Sequence, residues 1–156
     1  MGFEIVEMKD LSGSKAHIYS VVFDGDKDTL LEQFFSENSS EEELLVRMLG
    51  KIKSMADKTG CLRQFFKEGE GRLGDGVVAL AVKNMRLYGI YFNRTVILLG
   101  SGGMKNVRAY QDDPVLNGKA EQMRYVASEI NKAIRDRSIR VSDDGELDCK
   151  NFEVYD

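Results

Sequence analysis

The run NMRLYGIYFNRTVILLGSGGMKN, residues 84–106, holds Arg86, Arg94 and Lys105 and no carboxylate. Widening the window to the space between Asp75 and Asp112 adds Lys83 and Arg108, and still no acid. The whole chain carries a net charge of −4, so these five cations stand in a chain that is otherwise strongly acidic. Local field rather than net charge steers a polyanion to a site. Arginine and lysine bind phosphate, and tyrosine stacks on bases, so Arg86, Tyr88, Tyr91, Arg94, Lys105, Arg108 and Tyr110 form a candidate RNA-binding set, with Lys83 beside them. Two structural alternatives stand next to this. Exposed or edge strands carry Lys and Arg to resist aggregation, and strand tyrosines fill cores. Alternation along a strand puts Arg86 and Tyr88 on one face and Tyr91 on the other.

Other constellations are weaker. GSGGMKN has the glycines and lysine of a phosphate loop, but the spacing GxxxxGK[ST] is missing and VRAYQDDP does not open a helix. Asp24, Asp26 and Asp28 have the D-x-D-x-D spacing of a calcium loop without its glycine and distal glutamate, which points to a solvated turn. Cys61 and Cys149 form no CxxC pair, and with the single His17 they match no zinc spacing, so no metal and no cofactor is expected. They read as reduced, partly buried thiols. No Ser-His-Asp or Cys-His arrangement is legible.

The elements that must position these residues follow from apolar periodicity. FEIVEM and AHIYSVVF read as a strand hairpin. TLLEQFFSEN reads as a short helix. A longer one follows, with Ser40 and Glu43 as its capping box, Leu44, Met48, Ile52 and Met55 on one face, and Gly60 at its end. CLRQFFKEGEGRLGDG is a glycine-punctuated link whose Phe65 and Phe66 fill or cover the core. VVALAVKN, MRLYGIYF and RTVILLG form an antiparallel meander with turns near Asn84 and Asn93. Asp113-Pro114 opens a helix that runs to about Arg135. IRVSDDGELDC closes the chain as a hairpin turning at Asp144-Gly145. The order β-β-α-α-β-β-β-α-β-β is α+β, with helices packed on a mainly antiparallel sheet in a single domain, 1–156. No apolar run approaches the ~20 residues of a membrane span, and the start MGFEIVEMKD lacks a signal peptide's basic and apolar regions, which points to a cytoplasmic protein.

A helix pair followed by a basic strand meander and a lysine-bearing loop resembles the RelE/ParE/HigB superfamily of toxin-antitoxin toxins. The resemblance spans roughly residues 41–135. LLVRMLGKIKSMADKTGCLRQFFKEGEGRLGDGVVALAV is similar to the family's paired helices and following strand. MRLYGIYFNRTVILLGSGGMK is similar to its central run of an arginine-led strand, a second strand and a lysine loop. The resemblance implies a RelE-like core extended by an N-terminal and a C-terminal hairpin. It implies an endoribonuclease that cuts mRNA on the ribosome, with a cognate antitoxin protein as partner and no membrane. Arg86 would lie against the phosphate, Lys105 would be the loop lysine, and Tyr88 or Tyr91 would stack a base or orient a proton. Lys83, Tyr91, Arg94 and Arg108 would contact RNA. Two further readings remain open: a non-catalytic protein-interaction module on the same fold, and a ParE-like poison of a topoisomerase.

Overall fold

The computed structural model describes residues 2–67, 76–106, 113–150 and 152–154. Two β-rich runs make the first hairpin, β1 (Phe3–Glu7) and β2 (His17–Phe23), paired antiparallel from Phe3↔Phe23 to Glu7↔Tyr19. Thr29 then starts α1 (Leu30–Glu37) with a complete capping box: its Oγ1 accepts from the Glu32 N–H at 3.2 Å, and Glu32 Oε1 accepts from the Thr29 N–H at 2.8 Å. The helix α2 (Glu42–Ser54) has no such box. Its N-cap is Glu41, without a side-chain bond, so the pairing expected of Ser40 and Glu43 is not made. Glu42 and Glu43 instead favour its start through the helix dipole. The helix loosens into a π-helical turn, Met55–Thr59, and stops at Gly60, whose φ of +78° suits glycine. A 3-10 turn, Arg63–Phe65, leads into the two-residue strand β3 (Phe66–Lys67).

The meander comprises β4 (Val77–Val82), β5 (Met85–Asn93) and β6 (Val96–Met104), with its turns at the expected places. One expectation changes: GSGGM is not loop but the second half of β6, paired through Met85↔Met104, Arg86↔Gly103 and Leu87↔Gly102. α3 (Pro114–Arg135) begins at the proline, with Asp113 accepting from the N–H groups of Val115 at 3.0 Å and Leu116 at 3.2 Å. The helix runs unbroken through Asn117 and Gly118. β7 (Arg140–Val141) and β8 (Leu147–Asp148) form the closing hairpin as a separate two-stranded sheet.

The main sheet has the order β1-β2-β6-β5-β4-β3. Its pairings are antiparallel except for β2 against β6, which run parallel over His17↔Val96 to Tyr19↔Leu98. The molecule is therefore α+β with a mixed sheet. A parallel neighbour needs a long crossover, and α1, α2 and the strands β3 to β5 supply it. Beyond Tyr19 and Leu98 the two strands share no further pairing, and α1 packs against both. The Leu31 N–H donates to Ser20 Oγ at 3.2 Å. Leu30 joins the apolar layer on one side of the sheet, while Leu31 and Phe34 join the layer on the other.

Both sheet faces are covered. α3 presents Leu116, Ala120, Met123, Val126, Ala127 and Ile130 to Val77, Tyr88, Ile90 and Leu98. On the opposite face α2 presents Leu44, Met48 and Ile52 to Val78, Leu80, Met85 and Leu87. Phe66 is buried and Phe65 exposed. No described helix is long and apolar enough to cross a membrane.

Candidate nucleic-acid interface

The two-residue turn between β4 and β5 sets the geometry of the cationic end of the sheet. Lys83 occupies it with φ +52° and is exposed. Arg86, two residues into β5, reaches back: its Nη1 donates to the Lys83 carbonyl at 2.6 Å and to the Met85 carbonyl at 3.2 Å. Its 7% exposure is low for a guanidinium, which buries cheaply only when its N–H groups are bonded. Lys105 follows the last residue of β6, and its N–H donates to the Asn84 carbonyl at 2.6 Å, continuing the β5–β6 ladder by one rung. Asn84 Nδ2 donates to Asn106 Oδ1 at 3.1 Å and ties the turn to the strand end a second time.

This register decides what faces what. Arg86 is opposite Gly103, so the two share a sheet face, and Lys105, two residues beyond Gly103, shares it as well. A Cβ at Gly103 would meet Leu116 of α3 first, at 3.7 Å, which identifies the face as the one α3 covers. Arg86 and Lys105 therefore lie diagonally across neighbouring strands, on one side and at one end of the sheet. Lys51 approaches the same end from the other side: its Nζ donates to the Ala81 carbonyl at 2.8 Å, two residues from Lys83. Lys51 does not stand out in the sequence, because it sits on a helix far from the basic run. The helical spacing that makes α2's outer side polar was the available signal.

The remaining candidates do not join this group. Tyr88 shares a face with Arg86 but is 1% exposed, inside the core under α3, where it has no access to a base. The core-filling alternative describes its position. Tyr91 is on the opposite face, as alternation requires. It donates its hydroxyl to the Cys61 carbonyl at 2.8 Å and packs on Phe66, and the Arg63 guanidinium lies 5.1 Å from its ring centre. Burial pushes the Tyr91 phenol above its usual range. Arg94 sits at the β5–β6 turn, exposed, with Nε donating to the Thr59 carbonyl at 3.1 Å. From Asn84 to Arg94 the strand spans on the order of 30 Å at ~3.3 Å per residue. The basic meander is thus two separate cationic patches: Lys83, Arg86 and Lys105 at one end, and Arg63, Tyr91 and Arg94 at the other. Arg108 and Tyr110 lie outside the described residues.

His17 serves the fold. Its Nδ1 lies 2.7 Å from Glu7 Oε2, and its ring packs on Gly145 in the closing hairpin. Tyr19 holds the same hairpin, donating to the Gly145 carbonyl at 3.4 Å and accepting from the Leu147 N–H at 3.2 Å. Both cysteines are free thiols. Burial pushes Cys61 up to about 12 and Cys149 up to about 11, which suits inert structural thiols rather than nucleophiles. Asp24, Asp26 and Asp28 are all exposed, and among the described residues no group of three or more acids, histidines and cysteines could hold a metal ion.

What the Arg86–Lys105 arrangement offers chemically is fixed positive charge on a rigid strand pair. Positive charge placed this way attracts an anionic group and stabilises negative charge that develops beside it. No family model, no curated protein and no solved structure matches the chain.

Proposed function

We propose that the chain is a RelE/HigB-like toxin of a type II toxin-antitoxin system: an endoribonuclease that cuts mRNA on the ribosome and is neutralised by a cognate antitoxin. The observation that carries this is the β5–β6 register, which puts Arg86 and Lys105 on one face at one end of the sheet, beside exposed Lys83. The order of the helix pair α1 and α2, the antiparallel meander β4 to β6 and the closing helix α3, over residues 30–135, supports the same reading. In it, Lys105 and Arg86 hold the scissile phosphate and stabilise its transition-state charge, and Lys83 steers the RNA backbone. Tyr88 acts by packing, holding β5 against α3, rather than by stacking on a base.

A second reading has its own observation. Arg86 Nη1 is directed at the carbonyls of its own turn, a structural use of the guanidinium that favours a non-catalytic interaction module binding a partner through the basic end. Inducible expression of wild type, Arg86→Ala and Lys105→Ala separates the two. Growth arrest with fragmented mRNA in wild type, and relief in Lys105→Ala, is the result expected of the ribonuclease. A wild type that leaves growth and mRNA intact points to the module.

A further inference from the structure

Next to the Arg86–Lys105 pair lies a cleft of about 300 Å3, within the size range of ligand clefts. Its floor is Gly102, Gly103 and Met104 of β6; one wall is Glu37 and Asn38 at the end of α1, and the other is Val115 and Lys119 on α3. Three features suit it to a flat heteroaromatic ring. The floor is glycine backbone, free of Cβ atoms, flanked by Met104 and by Val115, which is 73% exposed. Because Asn84 and Lys105 are a hydrogen-bonded pair, the next pair, Met85 and Met104, is not, so the N–H and C=O of Met104 point away from β5. Finally, Glu37 Oε1 accepts from Lys119 Nζ at 2.8 Å, so a carboxylate and an ammonium are held side by side across the walls.

We propose that this cleft seats one unstacked base of the RNA, adjacent to the phosphate at Arg86 and Lys105. The inference rests on the ribonuclease reading above and adds a base-specific subsite to it. The cleft and the cation pair share a sheet face and a strand end: Gly103 is the cross-strand partner of Arg86, and Met104 immediately precedes Lys105. The Glu37 carboxylate has acceptor capacity beyond the one bond to Lys119. It accepts from an exocyclic amino group, while Lys119 donates to a neighbouring ring or carbonyl acceptor. Cytosine, adenine and guanine present that amino group, and uracil does not.

Gly103 provides the test, because its φ is open to any residue and a Cβ there meets only Leu116 at an ordinary 3.7 Å. Gly103→Val fills the cleft without displacing backbone, whereas at Gly102 a Cβ would run into the Arg86 carbonyl. Wild type, Gly103→Val and Glu37→Gln are compared on a ribosome-bound message, with the cut ends mapped by primer extension and folding checked by thermal unfolding. The expected result is cleavage by wild type that disfavours uracil at one flanking position, a loss of about tenfold or more in Gly103→Val, as for overfilling a specificity pocket, and weakened discrimination in Glu37→Gln. Wild-type rate and base preference in Gly103→Val overturn the subsite while leaving the ribonuclease intact. If Gly103→Val does not fold, an unchanged preference in Glu37→Gln overturns it. A wild type that leaves the message whole overturns the ribonuclease reading and the subsite with it.

Discussion

Arg86 has two demands on one guanidinium. It anchors the carbonyls of a turn in which Lys83 holds a left-handed backbone, and in the proposed function it also meets phosphate. Lys105 meets the turn through its backbone N–H, a bond that truncating its side chain keeps. The two substitutions should therefore separate. Arg86→Ala is expected to lose about 1–3 kcal/mol of unfolding free energy, the cost of orphaning buried acceptors, while Lys105→Ala should stay within about 0.5 kcal/mol of wild type. Urea titrations of both variants check this, and equal stabilities would mean that the Arg86 bonds to its turn contribute nothing. A second residue-scale prediction concerns pH. Burial moves the Cys61 thiol from its ordinary 9.0 to about 12, so between those values the unfolded chain has released a proton that the folded chain keeps. Stability is then fully present below pH 9 and declines as pH rises towards 12. Cys61→Ala should show a shallower decline, with the remainder due in part to Cys149. Identical pH profiles would contradict it. The sequence made Arg86 and Lys105 stand out through the acid-free run around them. It left Tyr88 open, because a strand tyrosine looks the same whether the face it occupies is open or covered by a helix.

At the scale of elements, what was legible was local. The two-residue turns near Asn84 and Asn93 and the Asp113-Pro114 helix start depend on short-range chemistry and appear where expected. The capping box stands at Thr29 and Glu32 rather than at Ser40 and Glu43, although T-x-x-E and S-x-x-E look equivalent in sequence. Thr29 is 6% exposed and precedes the leucines that enter the core, whereas Ser40 is exposed and its box is not formed. GSGG suggested a loop, yet a bare backbone is needed there because a Cβ at Gly102 would meet the Arg86 carbonyl. The closing hairpin gives a sharp prediction. Gly145 has φ +103°, and a Cβ there would press on the His17 ring. Gly145→Ala should cost roughly 1–3 kcal/mol, and part of that cost should vanish in a His17→Ala background. A cost unchanged by His17→Ala would assign the whole effect to backbone conformation. Phe34→Ala, which empties the junction of α1 with the sheet, should cost about 3–5 kcal/mol by thermal or urea unfolding. A loss under about 1 kcal/mol would mean that α1 is not an integral part of the core.

For the whole molecule, the feature least legible in sequence is the parallel pairing of β2 with β6. Apolar alternation specifies which face of a strand is buried and not the direction of its neighbour, so an all-antiparallel arrangement fitted the pattern equally well. That one pairing explains the rest of the architecture. It sends the chain from β2 through α1 and α2 to the far edge of the sheet. Among the described residues, it leaves the last residues of β6 without a strand neighbour on the α1 side. It places the end of α1 and the start of α3 on either side of that bare strand end. The cationic end of the sheet and the adjacent cleft are products of this topology, whereas Arg94 and Tyr91, close in sequence to Arg86, end up a strand-length away.

In the proposed function, Arg86 and Lys105 act together on a scissile phosphate. The most direct test of this is the initial rate at which the purified protein cleaves a ribosome-bound message, wild type against Lys105→Ala, with unfolding curves recorded for both. Cleavage by wild type and a fall of about a hundredfold or more in Lys105→Ala at unchanged stability are expected, the scale of losing one charge that stabilises a transition state. Equal rates in the two proteins, or an intact message with wild type, would contradict the proposed function.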